Sequence, residues 1–358
     1  GKELIPTIGS KPLLISRSKN TTLIINKIKD DLNRYDTNIT YGHLNYDCCE
    51  FDLTRLEVIA KNNNCDSVIG CGGGKVLDAS KLLADRLCLP CITIPLSAAT
   101  CAGWTALSNI YSPQGAYIRD QSLKRCPELI IFDYQFIRTA PKRTLASGIA
   151  DALAKWYEAS LNNSQSKDVL VQQAVQMARV LRDQLFIDSA MAMKDRHSDS
   201  WTRVAESCGL TAGLIGGIGG ASCRTAVAHA LHNGLTQIPS IKQHLHGEIV
   251  GYGILIQLYL EEISLDNKLA KQARLQLLPL FKILSIPTSL NELGLAKINI
   301  DSLKEVCNFA FNPKSDIHKI PFDLNQELLL EAMINSNKIR PEEDNLAIST
   351  PSEYYADA

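Results

Sequence analysis

The 358-residue chain lacks an excess of charge of either sign: 37 Lys and Arg stand against 38 Asp and Glu, for a net charge of −1. Neither half carries a basic block, which argues against nucleic acid or a membrane surface as the main partner. No apolar run approaches the ~20 residues of a membrane span, and no signal-peptide pattern is visible. The 11 cysteines are an odd number without regular spacing, so they predict reduced thiols in a cytoplasmic protein rather than a disulfide framework. Cys88 and Cys91 have CxxC spacing, but no second pair lies at zinc-ribbon distance. They run into the apolar stretch Ile92–Ile94, so core packing is expected of them. Internal repeats and low-complexity tracts are also missing.

The two common phosphate-loop patterns are absent as well, although "GCGGGKVLDASK" at residues 70–81 looks like a phosphate cradle. A Walker A loop fails because Ile69 stands where its first glycine belongs and Val76 where its metal-binding hydroxyl belongs. The Gly-x-Gly-x-x-Gly fingerprint fails because Gly70 and Gly72 call for glycine at Lys75. What is present is strand, glycine loop, helix, an arrangement that points N–H groups and a helix N-terminus at an anion. Gly72, Gly73 and Gly74 remove Cβ atoms that would block a pyrophosphate, and they permit positive φ. Asp78 is expected in the first turn of the helix, placed for the dipole or a ligand hydroxyl. A glycine turn kept for packing alone is the other reading.

With 45% apolar residues the chain is long enough for two cores. Up to about residue 140, short apolar runs (13–16, 40–44, 67–70, 91–94, 107–111 and 129–132) alternate with helical patterns at 21–32, 53–62 and 76–87. Such alternation predicts an α/β domain with a mostly parallel sheet. After Pro141, helical patterns follow one another at 142–160, 165–185, 198–217, 222–236, 246–263, 268–284, 301–311 and 324–337. The expected division is therefore 1–140, 141–337 and a polar tail at 338–358.

Four of the seven histidines fall within residues 227–253: His229, His232, His244 and His246. His229 and His232 share a helix face, and His246 opens the next helix. A metal bound there wants a carboxylate beside the imidazoles. Asp151, in the small and apolar run "GIADALAKWYEAS" at 148–160, is one candidate and Glu158 the other. A first-turn Asp serving only the helix dipole is the bland alternative.

"GCGGGKVLDASK", "GIADALAKWYEA" and "AHALHNGL…HGEIVGYG", in that order, resemble the glycerol dehydrogenase branch of the metal-dependent (iron-type) alcohol dehydrogenases, over about residues 1–337. The resemblance implies a dinucleotide-binding α/β domain and an all-helical domain, an architecture similar to dehydroquinate synthase, with the site in the cleft between them. It implies Asp151, His229 and His246 as ligands of one divalent metal, zinc rather than iron, with His232 a neighbour near the substrate. Gly73, Gly74 and Lys75, with Gly72 and Asp78, would hold the pyrophosphate of NAD(P). Leu96, Ala99, Thr105, Leu107 and Tyr111 would make further cofactor contacts. Hydride transfer between nicotinamide and a small alcohol, polyol or carbonyl compound follows, in a homo-oligomer. His232 and His318 are candidates to pass on the hydroxyl proton.

Two departures stand out. Cys101 occupies the position of an Asp with which the glycerol enzymes bind a substrate hydroxyl, and Trp104 is close by, so glycerol is expected to be a poor substrate. Arg17, followed by Ser18 and Lys19, replaces an Asp that would bind the adenosine ribose, which favours NADP(H). Alternatives are a glycerol-1-phosphate-type dehydrogenase, a dehydroquinate synthase-type cyclase, and a regulatory protein without catalysis. The cyclase reading is disfavoured because few basic residues are expected near the three ligands.

Overall fold

The computed structural model describes residues 8–336; the expected tail at 338–358 lies outside the described residues. The chain first runs β1 (Pro12–Ser16), α1 (Thr22–Asn33), β2 (Thr40–His43), α2 (Glu50–Asn62), β3 (Ser67–Gly72), α3 (Gly74–Leu87) and β4 (Cys91–Pro95). A hairpin of β5 (Leu107–Tyr111) and β6 (Tyr117–Ser122) follows, then the short β7 (Leu129–Ile130).

Five of these strands form a parallel sheet in the order β2-β1-β3-β4-β7. Helices cover its faces, so β3 in the centre is buried along its whole length, as expected of a continuous apolar strand. The chain leaves β1 outward to β2 and returns to β3 on the other side. The carboxyl ends of β1 and β3 therefore flank the crevice where open α/β sheets bind ligands. Arg17 follows β1 and the glycine loop follows β3, both at that crevice.

One strand departs from expectation. Leu107–Tyr111 pairs antiparallel with Tyr117–Ser122, outside the parallel sheet. The partner strand was not anticipated because it is mostly exposed and carries no apolar stripe. Cys91 is buried in β4, whereas Cys88 is exposed at the left-handed end of α3, so only the first meets the packing expectation.

From Tyr134 onward every regular element among the described residues is helical: α4 (Tyr134–Arg138), α5 (Lys142–Asn162), α6 (Val169–Lys194), α7 (Asp199–Glu206), α8 (Ala212–Gly219), α9 (Val227–Leu235), α10 (His246–Leu265), α11 (Lys268–Leu284), α12 (Ile300–Ala310) and α13 (Gln326–Asn335). The helix expected at 198–217 is divided by a π-helical turn at Ser207–Thr211. Among the described residues no helix is long and apolar enough to cross a membrane. The central α10 is buried on nearly every side, packed between two apolar clusters, which a helix apolar all round requires.

Two glycines set how closely the elements that carry the site approach. A Cβ on Gly148 of α5 would lie 1.9 Å from the Ala98 carbonyl oxygen, and one on Gly247 of α10 would lie 1.8 Å from the Ser147 carbonyl oxygen. Only glycine permits such backbone contact. It brings α5, the loop after β4 and the start of α10 together, one turn from Asp151 and beside His246.

Candidate active site

One cavity of about 650 Å³ runs from the glycine loop to the helical half, a size usual for small-molecule sites. Asp151, His229 and His246 line its inner end, and Gly72–Lys75 its outer end.

Asp151 lies on α5, His229 in the first turn of α9, and His246 at the start of α10. One donor atom from each lies within 4.8 Å of the others. His229 Nε2 is 3.4 Å and His246 Nε2 is 3.5 Å from Asp151 Oδ1. Burial opposes ionisation of Asp151, but the Lys155 charge and the two imidazoles outweigh it and hold the carboxyl well below its usual range. The carboxylate is thus charged and ready to meet a cation.

The imidazoles are oriented from behind. Glu158, buried on the same helix as Asp151, accepts from His229 Nδ1 at 2.5 Å and from the backbone N–H groups of Ala226 and His229 at 2.7 and 2.9 Å. Nδ1 carries the proton in that contact, which leaves Nε2 free for the cavity. On the other side, His232 Nδ1 donates to Asn233 Oδ1 at 2.9 Å, and His232 Nε2 accepts from His246 Nδ1 at 2.9 Å. Burial, then the neighbouring His246, hold His232 well below its usual pKa, so it stays neutral and can accept. The lone pair of His246 Nε2 therefore faces Asp151. Two imidazoles and a carboxylate converging with their outer nitrogens pinned fit a divalent metal, with coordination left over for a further ligand.

The other end fits a dinucleotide. A Cβ on Gly73 would have Ser97 Oγ, 4.0 Å away, as its nearest neighbour, so a side chain there would stand in the cavity. None of the three loop glycines has positive φ; their value lies in close approach. Lys75 pairs with Asp47 and sits over the Tyr111 ring, and Arg17 Nη1 meets the same Asp47 at 2.5 Å. Both cations hold the Asp47 carboxyl below its usual value against the effect of its burial.

Several expected residues take other places. Helix α3 starts at Gly74, which puts Asp78 beyond the first turn; its carboxylate lies 3.0 Å from Lys81 and accepts from Asn109 N–H at 3.2 Å. It borders the cavity but also docks α3 onto β5. Ala99, Cys101, Thr105, Leu107 and Tyr111 line the cavity, whereas Leu96 is buried in the sheet core with Ile92 and Ile94. His232 stands behind His246, off the cavity wall. His318 Nε2 is 3.1 Å from the Asn312 carbonyl oxygen and also lies off that wall. Glu158 supports His229 instead of competing with Asp151.

Sequence reading missed Asp47, Asn233 and the wall at 312–316. It also expected few basic residues near the three donors, yet Lys155 and Arg224 line the same cavity. Lys155 had a signal in hindsight: it follows Asp151 by one helical turn.

Residues 2–134 match the family model for iron-containing alcohol dehydrogenase. The chain is 45% identical to an uncharacterised oxidoreductase of Synechocystis sp., over 93% of this chain and 87% of that one. It is 34% identical to hydroxycarboxylate dehydrogenase A of Escherichia coli, over 80% and 78% of the two chains. Among solved structures, glycerol dehydrogenase from Schizosaccharomyces pombe superposes with a TM-score of 0.79 at 28% identity, covering 92% of this chain and 84% of that one. These likenesses stand beside a cavity with a glycine loop at one end and three converging donor side chains at the other. The chain is an oxidoreductase that belongs to the iron-containing alcohol dehydrogenase family, NAD(P)-dependent and metal-binding, in its glycerol dehydrogenase branch.

Proposed function

We propose that Asp151, His229 and His246 hold a divalent metal at which a small alcohol and its carbonyl compound are interconverted. The reading is carried by the convergence of the three donors in the cavity whose other end is the glycine loop. When bound, the metal and the nicotinamide dinucleotide supply the Lewis acidity and the hydride acceptor that the reaction needs. Glu158 and His232 keep the Nε2 atoms of His229 and His246 turned to the cavity. Gly72, Gly73 and Gly74, at the N-terminus of α3, cradle the pyrophosphate. Ala99, Thr105, Leu107 and Tyr111 form the wall along the rest of the cofactor. No imidazole besides His229 and His246 lines the cavity among the described residues, so the hydroxyl proton passes to water.

Zinc is the ion proposed; two imidazoles and one carboxylate with an open position serve zinc and iron(II) alike, so metal analysis of the purified protein separates the two. Arg17 and Ser18 at the cavity's outer end support a preference for NADP(H). Cys101 on the wall supports an alcohol other than glycerol. Exposed Val180, Ile187 and Met191 along α6 support a homo-oligomer. On this reading the division near residue 140 separates the cofactor part from the metal part.

Metal content and NAD(P)H formation with propane-1,2-diol test the reading. Chelation is expected to abolish turnover and zinc to restore it, and Asp151→Ala is expected to lose most of both metal and activity. Full metal occupancy and turnover in Asp151→Ala would remove Asp151 from the ligand set.

A further inference from the structure

Apart from the help Lys155 gives in keeping Asp151 ionised, two cations of this cavity have no task in the reaction as described. Lys155 is 5% exposed, and its ammonium makes a single long contact, 3.5 Å, to Asp151 Oδ1. Arg224, just ahead of α9, lines the same cavity, and among the described residues its guanidinium has no hydrogen-bond or ion-pair partner. Its place is built into the fold. A Cβ on Gly216 of α8 would lie 2.7 Å from Arg224 Cγ and Cδ, so the glycine provides the trough in which the arginine stem lies. Asp316, on the same cavity wall, accepts from Thr225 Oγ1 and pairs with Lys319 at 2.5 Å. Cys101 lines the cavity as well and adds no carboxylate.

A buried ammonium and an unpartnered guanidinium next to a divalent-metal site leave positive charge in excess. Buried charge is unfavourable until an opposite charge completes the set. The missing partner is an anion, and because Lys155 lies so close to Asp151 it must be attached next to the reacting carbon. A carboxylate on that neighbouring atom meets both requirements, and its two oxygens match the guanidinium fork. A phosphate ester places its charge further from the carbinol.

We propose that Lys155 and Arg224 bind the carboxylate of a 2-hydroxy acid, or of its 2-oxo acid, as the substrate class of this site. The inference rests on the metal-site reading above. In the oxidative direction the acid's C2–H bond breaks, with hydride passing to NAD(P)⁺. The hydroxyl proton goes to water, leaving the 2-oxo acid, NAD(P)H and H⁺.

Lactate and propane-1,2-diol share a skeleton and differ in the carboxylate, so their kcat/KM ratio reads the inference. The metal-loaded protein is expected to favour lactate at least tenfold. Arg224→Gln is expected to lower that ratio roughly ten- to a hundredfold, the loss of a contact to a charged group, with Arg224→Lys retaining part of it. Oxidation of the diol but not lactate would overturn the inference and leave the metal site standing, as would a preference for glycerol 1-phosphate over lactate. If neither skeleton is oxidised, the metal-site reading itself fails, and oxalate binding by calorimetry decides on the anion site. Binding weakened at least tenfold in Arg224→Gln supports it, and equal binding to both proteins overturns it. Should Arg224→Gln not fold, acetate and acetamide as competitors of diol oxidation serve on the unaltered protein. Acetate must inhibit at a concentration at least tenfold lower; equal inhibition ends the proposal.

Discussion

His232 Nε2 lies 2.9 Å from His246 Nδ1, and this contact decides which nitrogen of His246 faces the cavity. Without it the ring is free to turn, and either nitrogen can carry the proton. His232→Ala is therefore expected to lower metal affinity about 10- to 100-fold, the usual effect of removing a group that orients a ligand. His232→Gln, which keeps an acceptor in reach, is expected to recover part of it. Metal titration of the apo-protein reads the change, and unaltered affinity in His232→Ala would make the contact incidental.

Cys101 is the residue to alter for glycerol. A carboxylate there would accept from a substrate hydroxyl, and such a charge-assisted bond contributes ~1.5–3 kcal/mol, or roughly ten- to a hundredfold in kcat/KM. Cys101→Asp is expected to raise glycerol oxidation by that factor. The comparison fails if the unaltered protein already oxidises glycerol better than other diols and aldehydes.

Arg17 sits at the cavity's outer end with Asp47 holding its guanidinium. An aspartate in its place would repel a 2′-phosphate and accept from the ribose hydroxyls. Arg17→Asp is expected to swing preference from NADP(H) toward NAD(H), chiefly through the Michaelis constant of the cofactor. Initial rates with NADPH and NADH at matched concentrations check this; equal use of both by the unaltered protein would leave Arg17 as a partner of Asp47 alone.

Glu261 on α10 supplies a pH dependence away from the site. Burial raises its carboxyl from 4.5 to about 7, with the Gln257 amide donating to it at 3.0 Å. Between those values the folded chain keeps a proton that the unfolded chain has released. Its contribution is thus full below 4.5, and stability falls as pH rises toward 7 and levels beyond it. The whole effect is of order 3 kcal/mol, at ~1.4 kcal/mol per unit. Glu261→Gln is expected to flatten this part of the profile and to gain over the unaltered protein above pH 7. Urea midpoints at pH 5 and pH 8 measure it, and parallel changes in both proteins would refute it.

What was legible in the sequence was local. Strand β3, the glycine loop and α3 follow from one apolar run, three small residues and one helical period, each set by neighbours along the chain. The long helices α5, α10 and α11 were likewise visible in their periodicity. The hairpin strand Tyr117–Ser122 was not, because its pairing with β5 leaves most of it exposed and without an apolar stripe.

The candidate site divides in the same way. Asp151 and the histidines stood out by residue type, and family resemblance chose among them. Which nitrogen each imidazole presents was decided only in three dimensions, by Glu158 from α5 and by the His246–His232–Asn233 chain across two helices. Lys155 and Arg224 read as ordinary basic residues until the fold buries the first beside Asp151 and lays the stem of the second, half-buried, against Gly216 on the wall of the same cavity. Periodicity is set by contacts a few residues apart. The charge balance of a cavity depends on residues far apart in the chain, and only close packing determines which of them meet.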